Sequence, residues 1–488
     1  MKISNYYSNN VLTQGQQELL VELECFLHAK SKQAFIFHGY AGVGKSFLMT
    51  GVTKYLEAKE RQFVIIAPTG KAAKVIASKT NQEATTIHRA IYSYYDMNKE
   101  PVGEDIHLDP EQMMSKISDN DDSKDCIYII DESSMVSDKF SQSELCKFGS
   151  GCLLQDLLEY INLDEHPNRK VLFIGDNAQL PPIRNAYSPA LNEPMLKAVY
   201  QLECQSFELT EVVRQKSGSG VMKNATNLRE AIMNGSCQHF QFDTTEDDVN
   251  TLTGREFLNA YFDTCNGTIT GTDNTVIIAY SNRQISDYNH DIRAKLFYPY
   301  ADIQVGEKII CVKNYQTEEN FISNGEFGKI TKILSGIECR SVEVKEKNIK
   351  GFRSTMVDLS FLEVEVEFKD DYGKPFTLSK KVLINLLDSA SPKLSYLEYK
   401  ALYIDFNKRF SDSYKKEGVT YKEAKLDDPY LNFLHIKFGY AITCHKAQGS
   451  EWDNVFVDIY RGNQSGEQYF RWLYTSVTRA SNKLYIKL

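Results

Sequence analysis

The residues in this sequence best suited to chemistry are Gly39-Tyr40-Ala41-Gly42-Val43-Gly44-Lys45-Ser46. Glycines so spaced let backbone N–H groups converge on phosphate oxygens, and the N-terminus of the helix that follows adds favourable partial charge. Lys45 would reach the β- and γ-phosphates of a nucleotide, and the Ser46 hydroxyl would bind Mg²⁺. Asp131 and Glu132 form the carboxylate pair that nucleotide hydrolysis needs. Asp131 would hold the Mg²⁺ shell, and Glu132 would polarise the attacking water. Gln179, in Gly175-Asp176-Asn177-Ala178-Gln179, can sense a γ-phosphate. Gln16 reads two ways: taken alone it is a solvated helix residue, but beside a phosphate loop its amide can both donate to and accept from an adenine edge.

These groups need strands to deliver them. The apolar runs Ala34-Phe35-Ile36-Phe37, Phe63-Val64-Ile65-Ile66-Ala67, Cys126-Ile127-Tyr128-Ile129-Ile130 and Val171-Leu172-Phe173-Ile174 each end where the chemistry begins. They predict successive strands of one sheet domain. Thr13 reads as the N-cap of a helix through Leu27, and Leu48, Val52, Tyr55 and Leu56 keep helical spacing after the glycine turn. Pro68-Thr69-Gly70-Lys71, at the end of the second run, suits a phosphate clamp, here for a nucleic-acid backbone. His88, in Thr85-Thr86-Ile87-His88-Arg89, is offered for the same task, although a lone histidine is more often structural.

The helix–strand rhythm fails from Ile91 to Asp125. Tyr94 and Tyr95 precede a turn-rich stretch that suggests a small hairpin, and Ser118-Asp119-Asn120-Asp121-Asp122 reads as a solvated acidic loop. A second sheet region is signalled by Thr275-Val276-Ile277-Ile278-Ala279, Val455-Phe456-Val457 and Leu484-Tyr485-Ile486. Between its parts, Asn324-Gly325 carries a hairpin signal, and Leu362, Val364, Val366 and Phe368 alternate with glutamates as in a half-buried antiparallel strand. Tyr399, Leu402, Tyr403, Phe406 and Phe410 line a helix that stops near Gly418.

With 488 residues the chain should hold several domains, since single cores rarely exceed about 250–300 residues. Its 42% hydrophobic and 25% charged residues are ordinary globular values. A net charge of −9 counts against a passive nucleic-acid coat protein, yet leaves room for a basic groove. The ten cysteines form no C-x-x-C pair and are expected to be reduced, as in a cytoplasmic protein. The N-terminal stretch lacks the apolar core of a signal peptide, and no apolar run approaches the ~20 residues of a membrane span.

The order of the motifs resembles superfamily 1 helicases of the 5′-to-3′, RecD-like branch. The resemblance rests on 39–46, Asp131-Glu132-x-Ser134-Met135, Gly175-Asp176-Asn177-x-Gln179, Leu209-Thr210-Glu211-Val212-x-Arg214 and His445-Lys446-Ala447-Gln448-Gly449. It implies an α/β fold of two RecA-like motor domains, each a parallel sheet flanked by helices, with a β-hairpin inserted in the first and an SH3-like β-barrel in the second. The expected boundaries are 1–90 with 126–205 for the first motor, 91–125 for the hairpin, 206–300 with 431–488 for the second motor, and 301–430 for the barrel and its helical projection. It further implies ATP and Mg²⁺ as ligands, with Gln16 on adenine and Gln179 coupling γ-phosphate to DNA. Arg214 and Arg479 become arginine fingers, and Pro68, Thr69, His88, Thr443 and His445 line the single-strand track. The partners would be single-stranded and tailed duplex DNA, together with single-strand-binding or replication proteins, and the active form a monomer.

Two other classes compete. A nucleotide-switched DNA-binding remodeller would share every motif but lack a rigid wedge at 91–125. A P-loop kinase or plain NTPase leaves the second sheet region and its arginines unexplained.

Overall fold

In the computed structural model the described residues are 2–7, 11–94, 113–141, 146–211, 213, 219–300, 302–316, 320–348, 351–370, 373–459, 462 and 465–488. The chain divides into two compact units. The first comprises Met1–Asp96, Gln112–Thr253 and Ala447–Leu488, and the second, over its main segment, Gly254–Lys446.

The first unit is built on a six-stranded parallel sheet. Its order is Ala84–Thr86, Phe63–Ala67, Ile127–Ile130, Lys170–Gly175, Ala34–Gly39 and Cys204–Leu209. Strands covered on both faces must be apolar throughout, and their alternate residues feed two separate cores. Phe35, Phe37, Ile127, Ile129, Leu172 and Ile174 pack with the helices Gln14–His28 and Lys45–Ala58 on one face. Ala34, Ile36, Tyr128, Ile130, Val171 and Phe173 pack with Leu154, Leu157 and Leu196 on the other. Farther along the same unit, Val249–Leu252, Ala480–Lys487 and Trp452–Asp458 pair in parallel.

The small hairpin takes the form of a three-stranded sheet. Tyr92–Tyr94 and Met113–Ile117 are antiparallel, and Cys146–Phe148, which the sequence did not flag, joins them in parallel. Tyr95, Ile106 and Leu108 lie outside the described residues. The acidic loop after it is not simply solvated. Asp122 accepts from Gln62 Nε2 and Tyr128 OH, each at 2.8 Å, and Arg169, only 1% exposed, donates to the carbonyls of Asp122, Ser123 and Ile161. A buried guanidinium needs several acceptors at once, and this loop's backbone supplies two of them while the helix end at Ile161 supplies the third.

In the second unit, Thr275–Ala279 and Ala441–Thr443 pair in parallel, followed and preceded by different kinds of structure. The helix Asn282–Leu296 opens on a Ser281/Gln284 capping box. Its Asn289 fastens the strand edge, accepting from Tyr440 N and Ala441 N at 3.0 Å and donating to Ala441 O at 3.2 Å. Between these segments lies the expected antiparallel β-structure, ordered Glu338–Asn348, Gly351–Lys369, Phe327–Ile333, Lys308–Cys311 and Ile436–Phe438, with Pro375–Leu383 also on Gly351–Lys369. Leu362, Val364, Val366 and Phe368 are buried as their alternation requires. The helix Tyr396–Arg409 covers Leu359 and Phe361 through Ala401 and Leu402.

One turn reads differently from the sequence. Asn324-Gly325, with Gly325 at φ +93°, does not close a hairpin between its flanking strands. Phe321–Ile322 pairs with Tyr315–Gln316, whereas Phe327–Ile333 joins the larger sheet. Gly325 N and Cys311 O bond across at 2.8 Å, so the glycine turns the chain from one sheet to the next. No helix among the described residues is long and apolar enough to cross a membrane.

Candidate nucleotide site

The strand Ala34–Gly39 delivers the glycine turn, and the helix Lys45–Ala58 begins directly after it. Gly42 and Gly44 sit at φ +81° and +87°, conformations that a side chain would strain. Gly44 is the N-cap and offers no side chain, so the first helical N–H groups have no local acceptor. Val43 points inward and is fully buried, which anchors the turn on the core. Lys45 Nζ donates to Gly39 O at 2.8 Å and Tyr40 O at 3.0 Å.

The turn opens onto a cavity of about 780 Å³. Of the residues singled out from sequence, Gln16, Tyr40, Ala41, Gly42, Gly44, Lys45, Ser46, Asp131, Glu132, Gln179 and Arg479 line it, all from one compact unit. Gly39 and Val43 stand behind the lining. Arg214 lies outside the described residues.

Gln16 is not a solvated helix residue, being 1% exposed. It completes a capping box with Thr13, and its Nε2 donates to Val43 O at 3.0 Å, which ties the first helix to the glycine turn. Asp131 closes the strand Ile127–Ile130 and is buried. Burial first, and the adjoining Glu132 second, push its carboxyl up to about 7. Glu132 holds φ +49°, a strained backbone for a residue with a side chain, of the kind that gathers at functional sites. Gly175, on the neighbouring strand, cannot be replaced freely, because a Cβ there would lie 3.0 Å from Ser134 N and 2.7 Å from Leu191.

Among the described residues, three side chains of the lining have buried oxygen atoms without a hydrogen-bond partner: Glu132 Oε2, Gln179 Oε1 and Ser450 Oγ. A buried acceptor left unmade is costly. Set beside Lys45, Ser46 and Asp131, this donor and acceptor set fits a nucleotide triphosphate with its Mg²⁺ and attacking water.

The far side of the cavity comes from 447–488 and from Lys71, whose Nζ stands 4.9 Å over the Trp452 ring. Arg479 is 5% exposed, and its guanidinium donates to Thr475 O at 3.0 Å, Ser450 O at 3.2 Å and Thr478 Oγ1 at 3.0 Å. The stretch 177–180 is held by side chains to which the sequence assigned no role. Arg471 donates to Asn177 O and Gln179 O, Thr475 Oγ1 accepts from Leu180 N at 2.9 Å, and Gln448 Nε2 donates to Leu180 O at 3.0 Å.

The residues assigned to a DNA track are spread over both units. Thr69 caps the helix Gly70–Thr80, its hydroxyl accepting from Ala72 N at 3.2 Å, and Pro68 precedes it, half-buried. His88 packs against Tyr92 and Phe148, with ring centroids 5.7 and 5.2 Å away, and burial lowers its pKa. In the other unit, Thr443 lines a 370 Å³ cavity with Asn282, Ser286, Lys437 and Lys446, and His445 is exposed.

Residues 11–249 match the family model of an AAA domain, and 438–486 that of the UvrD-like helicase C-terminal domain. The chain is similar to the ATP-dependent DNA helicase dda of Enterobacteria phage T4, at 25% identity over 91% of this chain and 92% of that one. An uncharacterized protein of Acanthamoeba polyphaga mimivirus is 23% identical over 94% and 96% of the two chains. The crystal structure of Pif1 helicase from Bacteroides with ADP-AlF3 and ssDNA aligns over 98% of this chain and 93% of that one, at 14% identity and a TM-score of 0.44.

Proposed function

We propose that this chain is an ATP-dependent 5′-to-3′ DNA helicase that moves along single-stranded DNA and opens duplex. The observation that carries the reading is the two-sided cavity. A phosphate loop and a carboxylate pair form one wall, and Ser450, Thr478 and Arg479 from the far end of the chain form the other. A hydrolytic site completed by distant segments changes as those segments move, which is what coupling to a second ligand requires.

Lys45 leaves its two loop carbonyls to meet the β- and γ-phosphates, and the N–H groups at the start of Lys45–Ala58 hold their oxygens. Ser46 and Asp131 would hold Mg²⁺, which would supply neutralisation of phosphate charge. Glu132 orients and polarises the water, and Gln179 turns its free carbonyl oxygen toward the reacting end. Arg479 and Arg214 stabilise charge that develops on the γ-phosphoryl group. Gln16 fixes the first helix against the glycine turn, beside the adenine. Pro68, Thr69, His88, Thr443 and His445 contact the single strand.

In domain terms, 1–90 with 126–205 and 206–300 with 431–488 are the two motors, 91–125 is the strand-splitting wedge, and 301–430 is an SH3-like module with its projection. The protein works as a monomer in the cytoplasm of a phage-infected bacterium, in replication, recombination or repair and alongside single-strand-binding proteins. The relative from phage T4 supports that setting.

The test is ATP turnover with and without single-stranded DNA, then strand displacement on duplexes with 5′ or 3′ tails. DNA-stimulated turnover with opening of 5′-tailed duplex is expected. Preferential opening of 3′-tailed duplex overturns the polarity. Stimulated turnover without displacement of either substrate leaves the nucleotide-switched remodeller in its place.

A further inference from the structure

The helix Gly220–Met233 buries Val221, Ala225, Leu228 and Ile232 along one face. Arg229 falls on that same face and has no exposed surface. Its Nη1 pairs with Asp176 Oδ1, its Nη2 donates to Glu208 Oε1 at 2.8 Å, and its guanidinium carbon lies 3.7 Å from the centre of the Tyr40 ring. Asp176, likewise fully buried, also accepts from Ala178 N at 3.0 Å and from Tyr474 OH at 2.7 Å. The Tyr474 oxygen in turn accepts from Ala41 N at 3.3 Å.

This cluster grips the phosphate loop twice, at the Tyr40 ring and at the Ala41 amide. It grips the other loop at Asp176, three residues before Gln179. Burial opposes the charge on Asp176, and Arg229, Lys45 and the Tyr474 hydroxyl more than offset it, so its pKa falls below the ordinary carboxylate value. A buried ion pair is a poor source of net stability, since apolar residues of equal volume often serve as well. What the pair does supply is direction: a guanidinium fork, a carboxylate and a phenol fix one another's angles.

We propose that Arg229, Asp176 and Tyr474 are positioning residues that lock the start of the phosphate loop to the loop bearing Gln179, so that Lys45 and Gln179 meet one γ-phosphate in a single geometry. This rests on the reading of the cavity as an ATP-hydrolysing site. None of the three needs to touch the nucleotide. Their effect passes through Tyr40 and Ala41 on one side and through Ala178 and Gln179 on the other.

The prediction separates binding from turnover. ADP lacks the γ-phosphate and is held by the phosphate loop, so its affinity should stay within about threefold while kcat falls about tenfold or more, the scale of effect a small misplacement produces. Tyr474→Phe keeps the ring and removes the hydroxyl. The double variant D176N/R229M removes both charges together and leaves no lone buried ion, which the single change Arg229→Ala would strand. Both are purified, their folding checked by circular dichroism and thermal melting, and MgADP affinity and DNA-stimulated kcat are measured. Low kcat with retained ADP affinity in folded protein supports the proposal. Turnover within about threefold of wild type in both variants, or ADP affinity falling as far as kcat, overturns it. Failure of the functional reading has a different signature: wild type itself would show no DNA-stimulated turnover, which overturns both.

Discussion

The stretches 39–46 and 175–180 face one cavity and are held by different balances of near and distant partners. The first is fixed mainly by its own neighbourhood, with two left-handed glycines, a buried Val43 and a glutamine 27 positions upstream bonded to Val43 O, and distant Tyr474 and Arg229 touch it only at Ala41 and Tyr40. The second is held from far away in the chain. Arg471 and Thr475 reach it across nearly 300 positions, Gln448 across 268, and Tyr474 and Arg229 hold Asp176. Grips of the first kind come with the loop. Grips of the second kind can be loosened by moving a helix, so the Gln179 end is where the state of the distant segments can reach the chemistry.

The sharpest break falls on the local side. Lys45→Ala removes the charge that meets the phosphates, and DNA-stimulated turnover should drop to background while single-strand binding persists. A variant with wild-type turnover would remove 39–46 from the chemistry altogether.

Next in size are the arginines. Ala at Arg479 or Arg214 should cut turnover by about 10³-fold, with a far smaller loss of nucleotide affinity. Because Arg479 donates to Thr475 O, Ser450 O and Thr478 Oγ1, the variant also sharpens the contrast. Turnover within a few-fold of wild type would make Arg479 a clamp on 450–478 and not a finger.

Thr475→Val tests the long-range grip directly. It keeps the volume but strands the Leu180 N–H, and should cost about 1–3 kcal/mol in chemical denaturation. Thr13→Ala tests the local grip on the other side by opening the capping box that orients Gln16, and should cost about 1 kcal/mol. Should Thr13→Ala prove the costlier in the same assay, the distant clamp is not what holds 177–180.

The same contrast explains what could be read from the sequence. The strands were legible because those covered on both faces spell continuous apolar runs, as Ala34–Phe37 and Val171–Ile174 do, whereas their parallel direction came only with the resemblance. The glycine turn was legible because its positive φ values demand glycine. The carboxylates and Gln179 were legible as polar residues at strand ends. Arg229 left only a faint trace, an arginine at a helical position reserved for apolar residues, and Arg471 and Thr475 left none, because their partners are backbone groups on a loop nearly 300 positions away. Gln16 was half legible: its place suggested a role, but only the packed structure shows its amide bonded to Thr13 N and Val43 O. The Asn324-Gly325 turn misled because a turn dipeptide specifies a reversal and not which strands pair afterwards.

The strand Gly351–Lys369 has a mechanical consequence. At about 3.3 Å per residue its 19 residues make a rod roughly 60 Å long. Glu338–Asn348 pairs along its first half without a register shift, and Pro375–Leu383 takes over at Phe361, the residue where both partners meet. There is no unpaired joint at which the rod could fold. Bending at Phe361 would therefore break backbone pairing to one partner strand or the other, and the helix Tyr396–Arg409, packed on Phe361 and Leu359, covers that point.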